Sequence, residues 1–195
     1  MQFGYMQVYL VRHTTPDIAK AICYGQSDLE INTQVFEKEL KQIRSKLPLD
    51  IEKFYTSPLK RCEKLCESLS LEYEIDPRLM ELNFGEWELK EWETIPKIEL
   101  NPWIEDYVNL SPPKGESYQT LHNRCIDFLE NLTQTPYKKV AVITHAGNIR
   151  SMISHLLGIS LENSFRIQLS YGMVVEFKLN KELSWSKLIS MQPLQ

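Results

Sequence analysis

A three-layer α/β sandwich around a largely parallel central sheet is the fold this sequence predicts, and two observations predict it. Short apolar runs alternate along the chain with stripes spaced for amphipathic helices. Three of those runs, ending at Val11, Thr56 and Thr144, also stop abruptly at polar or basic residues. A buried parallel strand reads this way, because its carboxyl end opens into the crevice where ligands of such sheets bind. At 195 residues, with 43% hydrophobic and 25% charged content, the chain is long enough for one substantial core. A single domain over 1–195 is expected, with a cap-like insertion around 86–113.

The run Val8-Tyr9-Leu10-Val11 gives the first strand and leads into Arg12-His13-Thr14-Thr15-Pro16. Thr14 to Asn32 is a polar connection, longer than the usual strand-to-helix loop of about 2 to 6 residues, and such loops are often functional. Phe36, Leu40, Ile43 and Leu47 mark one face of a helix ended by Pro48. Lys53 to Thr56 predicts a short strand, after which Ser57 can cap a helix that has Pro58 in its first turn. That helix carries Cys62, Leu65, Cys66 and Leu69 on one face, with Arg61 near its start. Glu74-Ile75 gives a brief strand, and Pro77 to Trp87 reads as irregular with a turn at Gly85.

From Glu88 to Asn109, Pro96 and Pro102 break the chain into short helices at most, and Trp87, Trp92 and Trp103 are expected to fill the core of the cap. Leu121, Cys125, Phe128, Leu129 and Leu132 make a strong helical stripe, ended by Pro136. Val140 to Thr144 is the clearest strand and runs directly into His145-Ala146-Gly147-Asn148. A helix through Ile149, Met152, Ile153, Leu156 and Leu157 closes at Gly158. Phe165–Leu169 and Met173–Phe177 read as strands around Tyr171-Gly172, and Trp185 to Ile189 as an edge strand.

The formal net charge of -4 argues against a general nucleic-acid binder, which needs a basic face for phosphates. No apolar stretch approaches the roughly 20 residues of a membrane span. Met1 to Met6 lacks the charged start and long apolar run of a signal peptide, so a soluble, cytoplasmic protein is expected. Cys23, Cys62, Cys66 and Cys125 read as small apolar residues; Cys62 and Cys66 lack a nearby pair to complete a metal set, so no metal or cofactor is expected.

Three strand ends deliver Arg12 with His13, then Arg61, then His145, and in a parallel sheet all can converge on one crevice. Arg61 alone reads as a surface charge and His145 alone as a structural histidine. Together they point to a ligand. Two guanidiniums offer donor forks suited to phosphate oxygens, and the helix that opens at Ala146 adds backbone donors and a positive dipole end. The expected partner is a small phosphomonoester.

Five blocks of this sequence resemble the histidine phosphatase superfamily, which includes the cofactor-dependent phosphoglycerate mutases. They are Arg12-His13 after the N-terminal strand, Ser57-Pro58-Leu59-Lys60-Arg61, Glu81 followed by Phe84-Gly85-x-Trp87-Glu88, Gly115-Glu116-Ser117, and Thr144-His145-Ala146-Gly147-x-x-Arg150. The resemblance implies a phosphoglycerate mutase-like fold and hydrolysis of a phosphomonoester through a phosphohistidine at His13. It also implies that Arg12, Arg61 and His145 bind the phosphoryl oxygens, and that Glu81 is the general acid and later the base. The residues agree with this chemistry. An attacking imidazole must be neutral at the reacting nitrogen, so its other nitrogen should meet an acceptor, most simply a backbone carbonyl. Two arginines and a protonated His145 would stabilise the transferring group without a metal.

The family commonly has glycine after the histidine; here Thr14-Thr15-Pro16-Asp17 follows, and the Thr14 hydroxyl is the expected donor in its place. That run, continued by Ile22 to Asp28, resembles the α-ribazole phosphatase branch of cobalamin biosynthesis. The implied substrate is α-ribazole 5′-phosphate or the phosphorylated late cobalamin intermediate, with Tyr24, Gly25 and Gln26 facing the nucleoside. Alternatives are a broad sugar or nucleotide phosphatase, a phosphoglycerate mutase, and, from another class, a non-catalytic phospho-ligand binding module.

Overall fold

The computed structural model describes residues 4–194; the first three residues of the stretch Met1 to Met6, and residue 195, lie outside the described residues. Among the described residues, six strands form one sheet: β1 (Met6–Arg12), β2 (Lys53–Thr56), β3 (Glu74–Ile75), β4 (Lys139–Thr144), β5 (Val174–Leu179) and β6 (Lys187–Gln192). Their order is β3-β2-β4-β1-β5-β6. The pairings β3–β2, β2–β4 and β4–β1 are parallel, while β1–β5 and β5–β6 are antiparallel.

The alternation along β1 creates the three layers, because successive side chains of a strand leave on opposite faces. Val8 and Leu10, with Val140, Val142, Val175 and Phe177, pack under α4 (Tyr118–Thr133) and α5 (Ala146–Leu157). Tyr9 and Val11, with Ala141, Ile143 and Val174, pack under α1 (Thr33–Lys46) and α2 (Lys60–Leu69). Each fully buried aliphatic side chain in these layers contributes roughly 1.5–3 kcal/mol. The expected stripe of α4 is buried throughout, and Asn32 and Ser117 cap α1 and α4 by accepting from the N–H groups of Gln34 and Thr120.

The region around 86–113 contains a 3₁₀ turn, Trp92–Thr94, and the helix α3 (Lys97–Glu105). Trp87 is buried there with Cys23 and Ile95, and Phe84, Trp92 and Trp103 pack against them. The Trp87 indole N–H donates to Glu99 at 2.9 Å, which satisfies its polar end.

Four local expectations are corrected. Ser57 does not cap α2: Leu59 holds that position, and the N–H of Lys60 donates to Asp28 Oδ1 at 2.8 Å, a cap supplied by the long loop. Pro102 lies inside α3 instead of ending it; α3 runs nine residues with no buried side chain, where solvent can serve the carbonyl that proline leaves without a donor. The strand expected over Phe165–Leu169 is instead a 3₁₀ segment, Leu161–Arg166, followed by irregular chain. Arginines occupy its carbonyls, Arg150 Nε donating to Ile167 and Arg12 Nη1 to Leu169, so no ladder forms. Trp185 belongs to a turn, Leu183–Trp185, and the edge strand starts after it. Among the described residues, no helix is long and apolar enough to cross a membrane.

Candidate active site

Strand register brings the two histidines together. Arg12 of β1 lies level with Thr144 of β4, and Thr56 of β2 with Ile143, so the three parallel strands end side by side. Past those ends, the N–H of His13 donates to the Thr144 carbonyl and that of Ser57 to the Ile143 carbonyl, both at 3.0 Å. The carbonyl of His13 in turn accepts from Gly172 N–H at 3.1 Å. His13 and His145, 2% and 0% exposed, stand edge to face with ring centroids 5.1 Å apart.

His13 Nδ1 is 2.7 Å from the carbonyl oxygen of Thr14. A carbonyl only accepts, so Nδ1 carries the proton and, in the neutral ring, Nε2 carries the lone pair. Burial, then Arg61 and Arg12, hold His13 well below the ordinary histidine range, although the Thr14 carbonyl favours protonation. The ring is therefore neutral at neutral pH. His145 is also held well below its usual range by burial, Arg61, His13 and Arg12. The expected protonated His145 is thus not its resting state; a bound phosphoryl dianion would favour the protonated form. Its Nε2 meets the Ser57 hydroxyl at 2.8 Å and the Cys62 sulfur at 3.4 Å. All four cysteines are free and buried.

The arginines are fixed by carbonyls. Arg61 is wholly buried and donates from Nη2 to Gly25 at 2.5 Å and from Nη1 to Ser27 at 2.9 Å. Arg12 donates to Leu169 at 2.5 Å and lies 3.9 Å from the centre of the Tyr171 ring. Arg12 Nε, Arg61 Nε and the Thr14 hydroxyl are buried without a protein partner. Unsatisfied buried donors are costly, and three of them at one set of strand ends suit an anion. Ala146 opens α5, so its N–H belongs to the turn that has no intrahelical partner.

Glu81 pairs with neither Arg78 nor Lys90. Its Oε1 accepts from Leu82 N–H at 2.9 Å and its Oε2 from Gly147 N–H at 3.1 Å, across the start of α5. Its own carbonyl accepts from Gln26 Nε2 and Arg124 Nη2, both at 3.0 Å. Gln26, expected to face a nucleoside, therefore holds the Glu81 backbone instead. Gly25 is a close backbone crossing, where an added Cβ would lie 1.7 Å from the Leu82 carbonyl. The Tyr24 hydroxyl meets that of Tyr171 at 2.6 Å.

Sequence reasoning missed the supports of these groups. Glu88 accepts from the N–H groups of Gly25, Gln26, Ser27 and Phe84 and from the Ser27 hydroxyl. Burial pushes its carboxyl up, but those bonds outweigh it and hold the group below the usual range. Arg124 and Glu116 brace the Glu81 loop, and Tyr171 covers Arg12. Glu88 and Glu116 both lie in segments that resemble the family, and their spacing from Glu81 is the signal in the sequence.

A neutral imidazole with a free Nε2, beside orphaned guanidinium donors, can hold a dianion and attack it, which is the chemistry of phosphoryl transfer. The chain belongs to the histidine phosphatase superfamily: residues 8–190 match the model of its branch 1. It is 31% identical to phosphoserine phosphatase 1 of Hydrogenobacter thermophilus, over 80% of this chain and 78% of that protein. It is 22% identical to the adenosylcobalamin/alpha-ribazole phosphatase of Escherichia coli, over 64% of this chain and 63% of that protein. The crystal structure of the alpha-ribazole phosphatase from Shigella flexneri superposes with a TM-score of 0.87 at 19% identity, over 96% of each chain, which shows the shared fold.

Proposed function

We propose that this phosphatase hydrolyses phosphomonoesters through a phosphohistidine at His13. The bond from His13 Nδ1 to the Thr14 carbonyl carries the reading, because it leaves Nε2 as the nucleophile. Nε2 attacks phosphorus as the ester P–O bond breaks, and Glu81 gives its proton to the leaving oxygen. Water then gives a proton to Glu81 and attacks phosphorus, breaking the N–P bond and releasing orthophosphate. Arg12, Arg61, the Thr14 hydroxyl, the Ala146 N–H and His145 hold the phosphoryl oxygens.

For the substrate we infer α-ribazole 5′-phosphate, on the likeness of the Arg12–Asp17 and Ile22–Asp28 runs to that branch. The 31% identity to a phosphoserine phosphatase favours phosphoserine as the second reading. A kinetic panel of α-ribazole 5′-phosphate, phosphoserine, phosphoglycerates, sugar phosphates and mononucleotides tests both. The expected result is a kcat/KM for the ribazole ester at least tenfold above the rest; parity would return the enzyme to a broad-specificity phosphatase.

A further inference from the structure

Ser57 and His145 meet where β2 and β4 end. The Ser57 hydroxyl lies 2.8 Å from His145 Nε2, and both residues are wholly buried. The serine is fixed through both ends of its backbone unit: its N–H donates to the Ile143 carbonyl at 3.0 Å, and its carbonyl accepts from the Thr56 hydroxyl at 3.1 Å. Its Oγ also accepts from Leu59 N–H, at 3.4 Å.

A hydroxyl both donates and accepts. Toward a neutral imidazole it donates to the Nε2 lone pair; toward an imidazolium it turns and accepts the Nε2 proton. The bond therefore survives a change of charge on the ring. The other neighbours serve this purpose less well. Arg61, Arg12 and Arg124 only donate, and with His13 they oppose a positive charge on His145. The Cys62 sulfur, 3.4 Å from Nε2, gives its own proton to the Thr144 carbonyl at 3.6 Å and is a weak acceptor. The Glu81 carboxylate is engaged by the N–H groups of Leu82 and Gly147. With Nε2 tied to Ser57, Nδ1 is the nitrogen left for a phosphoryl oxygen.

We propose that Ser57 is a positioning residue: its hydroxyl holds His145 through Nε2 in both charge states, so that the ring takes a solvent proton when a phosphoryl dianion binds and returns it when orthophosphate leaves. The proposal rests on the phosphatase reading of the site and gives a role to a residue outside the set that holds the phosphoryl oxygens.

The test compares the wild type with Ser57→Ala and Ser57→Thr, with phenyl phosphate as the ester and inorganic phosphate as the ligand. Nitrogen NMR of histidine-labelled protein follows the titration of His145 in the phosphate complex. The wild-type ring is expected to be protonated on both nitrogens at about pH 7. Ser57→Ala leaves the Nε2 proton without its acceptor, which disfavours the charged ring, so its titration midpoint should fall by at least about one pH unit, a tenfold loss of proton affinity. The kcat of that variant should fall about tenfold with it. Ser57→Thr keeps the hydroxyl and should restore both. A role in packing alone would lower kcat and leave the midpoint in place. A midpoint unmoved in Ser57→Ala, or lowered equally in Ser57→Thr, overturns the proposal, and so does a neutral His145 in the wild-type phosphate complex, which needs no variant to fold. Acid-labile labelling of His13 by phenyl phosphate separates the two levels: label with an unmoved midpoint rejects the role of Ser57 alone, while no label and no turnover with any ester rejects the phosphatase reading and this role with it.

Discussion

Arg124 holds Glu116 through two nitrogens, Nη2 at 2.7 Å and Nε at 3.3 Å, while its Nη1 donates to the carbonyls of Arg78 and Met80. The ion pair thereby ties α4 to the backbone that presents Glu81. Both side chains are less than a fifth exposed. Removing one partner strands the other, at a cost of about 3 kcal/mol for a buried pair. Arg124→Ala should lower the denaturation midpoint accordingly and reduce kcat more than it raises KM. An unchanged midpoint would show that solvent replaces the guanidinium at no cost.

His13→Ala is expected to abolish both turnover and acid-labile phosphorylation while leaving the fold intact. Glu81→Gln should slow esters with poor leaving groups by about 10²–10⁴-fold, the usual range for a general acid, and spare those whose leaving oxygen needs no proton. Single-turnover kinetics across a series of leaving groups reads this directly; equal losses along the series would remove Glu81 from the acid role.

Gly147 offers a gentler probe of the same group. A Cβ there would lie 2.2 Å from Glu81 Oε1, the far end of a flexible side chain. Gly147→Ala should therefore fold with near wild-type stability, displace the carboxylate, and lower kcat at least tenfold for poor leaving groups. Activity at the wild-type level would mean that Glu81 works from a different position.

Burial is the first cause of lowered proton affinity at all four histidines, and His13 and His145 sit well below the ordinary range. Below about pH 6.5 the unfolded chain binds protons that the folded one refuses. Stability is thus present above that pH and is lost as pH falls from about 7 towards the folded values. The slope reaches about 1.4 kcal/mol per pH unit for each fully neutral histidine. Urea midpoints should fall between pH 7.5 and 5.5, and His13→Asn should flatten the profile. A profile as steep in that variant as in the wild type would assign the effect to other groups.

The three strand-to-helix junctions were legible because periodicity breaks sharply where a buried strand meets Arg12, Ser57 and His145, and the family blocks sit at those breaks. The supports were harder to read, since they act through backbone. Gln26 looked like a substrate contact because nothing local shows that its amide reaches the Glu81 carbonyl 55 positions away. Tyr171 reaches Arg12 and Tyr24 only through the antiparallel pairing of β5 with β1, a register set by the whole sheet. Phe165–Leu169 carried a strand-like pattern, but two arginines from elsewhere in the fold claimed its carbonyls.

Cys62 gives the pocket a built-in gauge of its own breathing. Its sulfur rests 3.4 Å from His145, fully buried, and burial pushes the thiol far above the range in which it would ionise or react. An alkylating reagent can reach it only in an opened state, so its rate of modification counts openings of the region that carries Arg61. Orthophosphate bound across Arg12 and Arg61 should slow that count, so that one chemical clock would report both the looseness of the unliganded pocket and its tightening on a ligand.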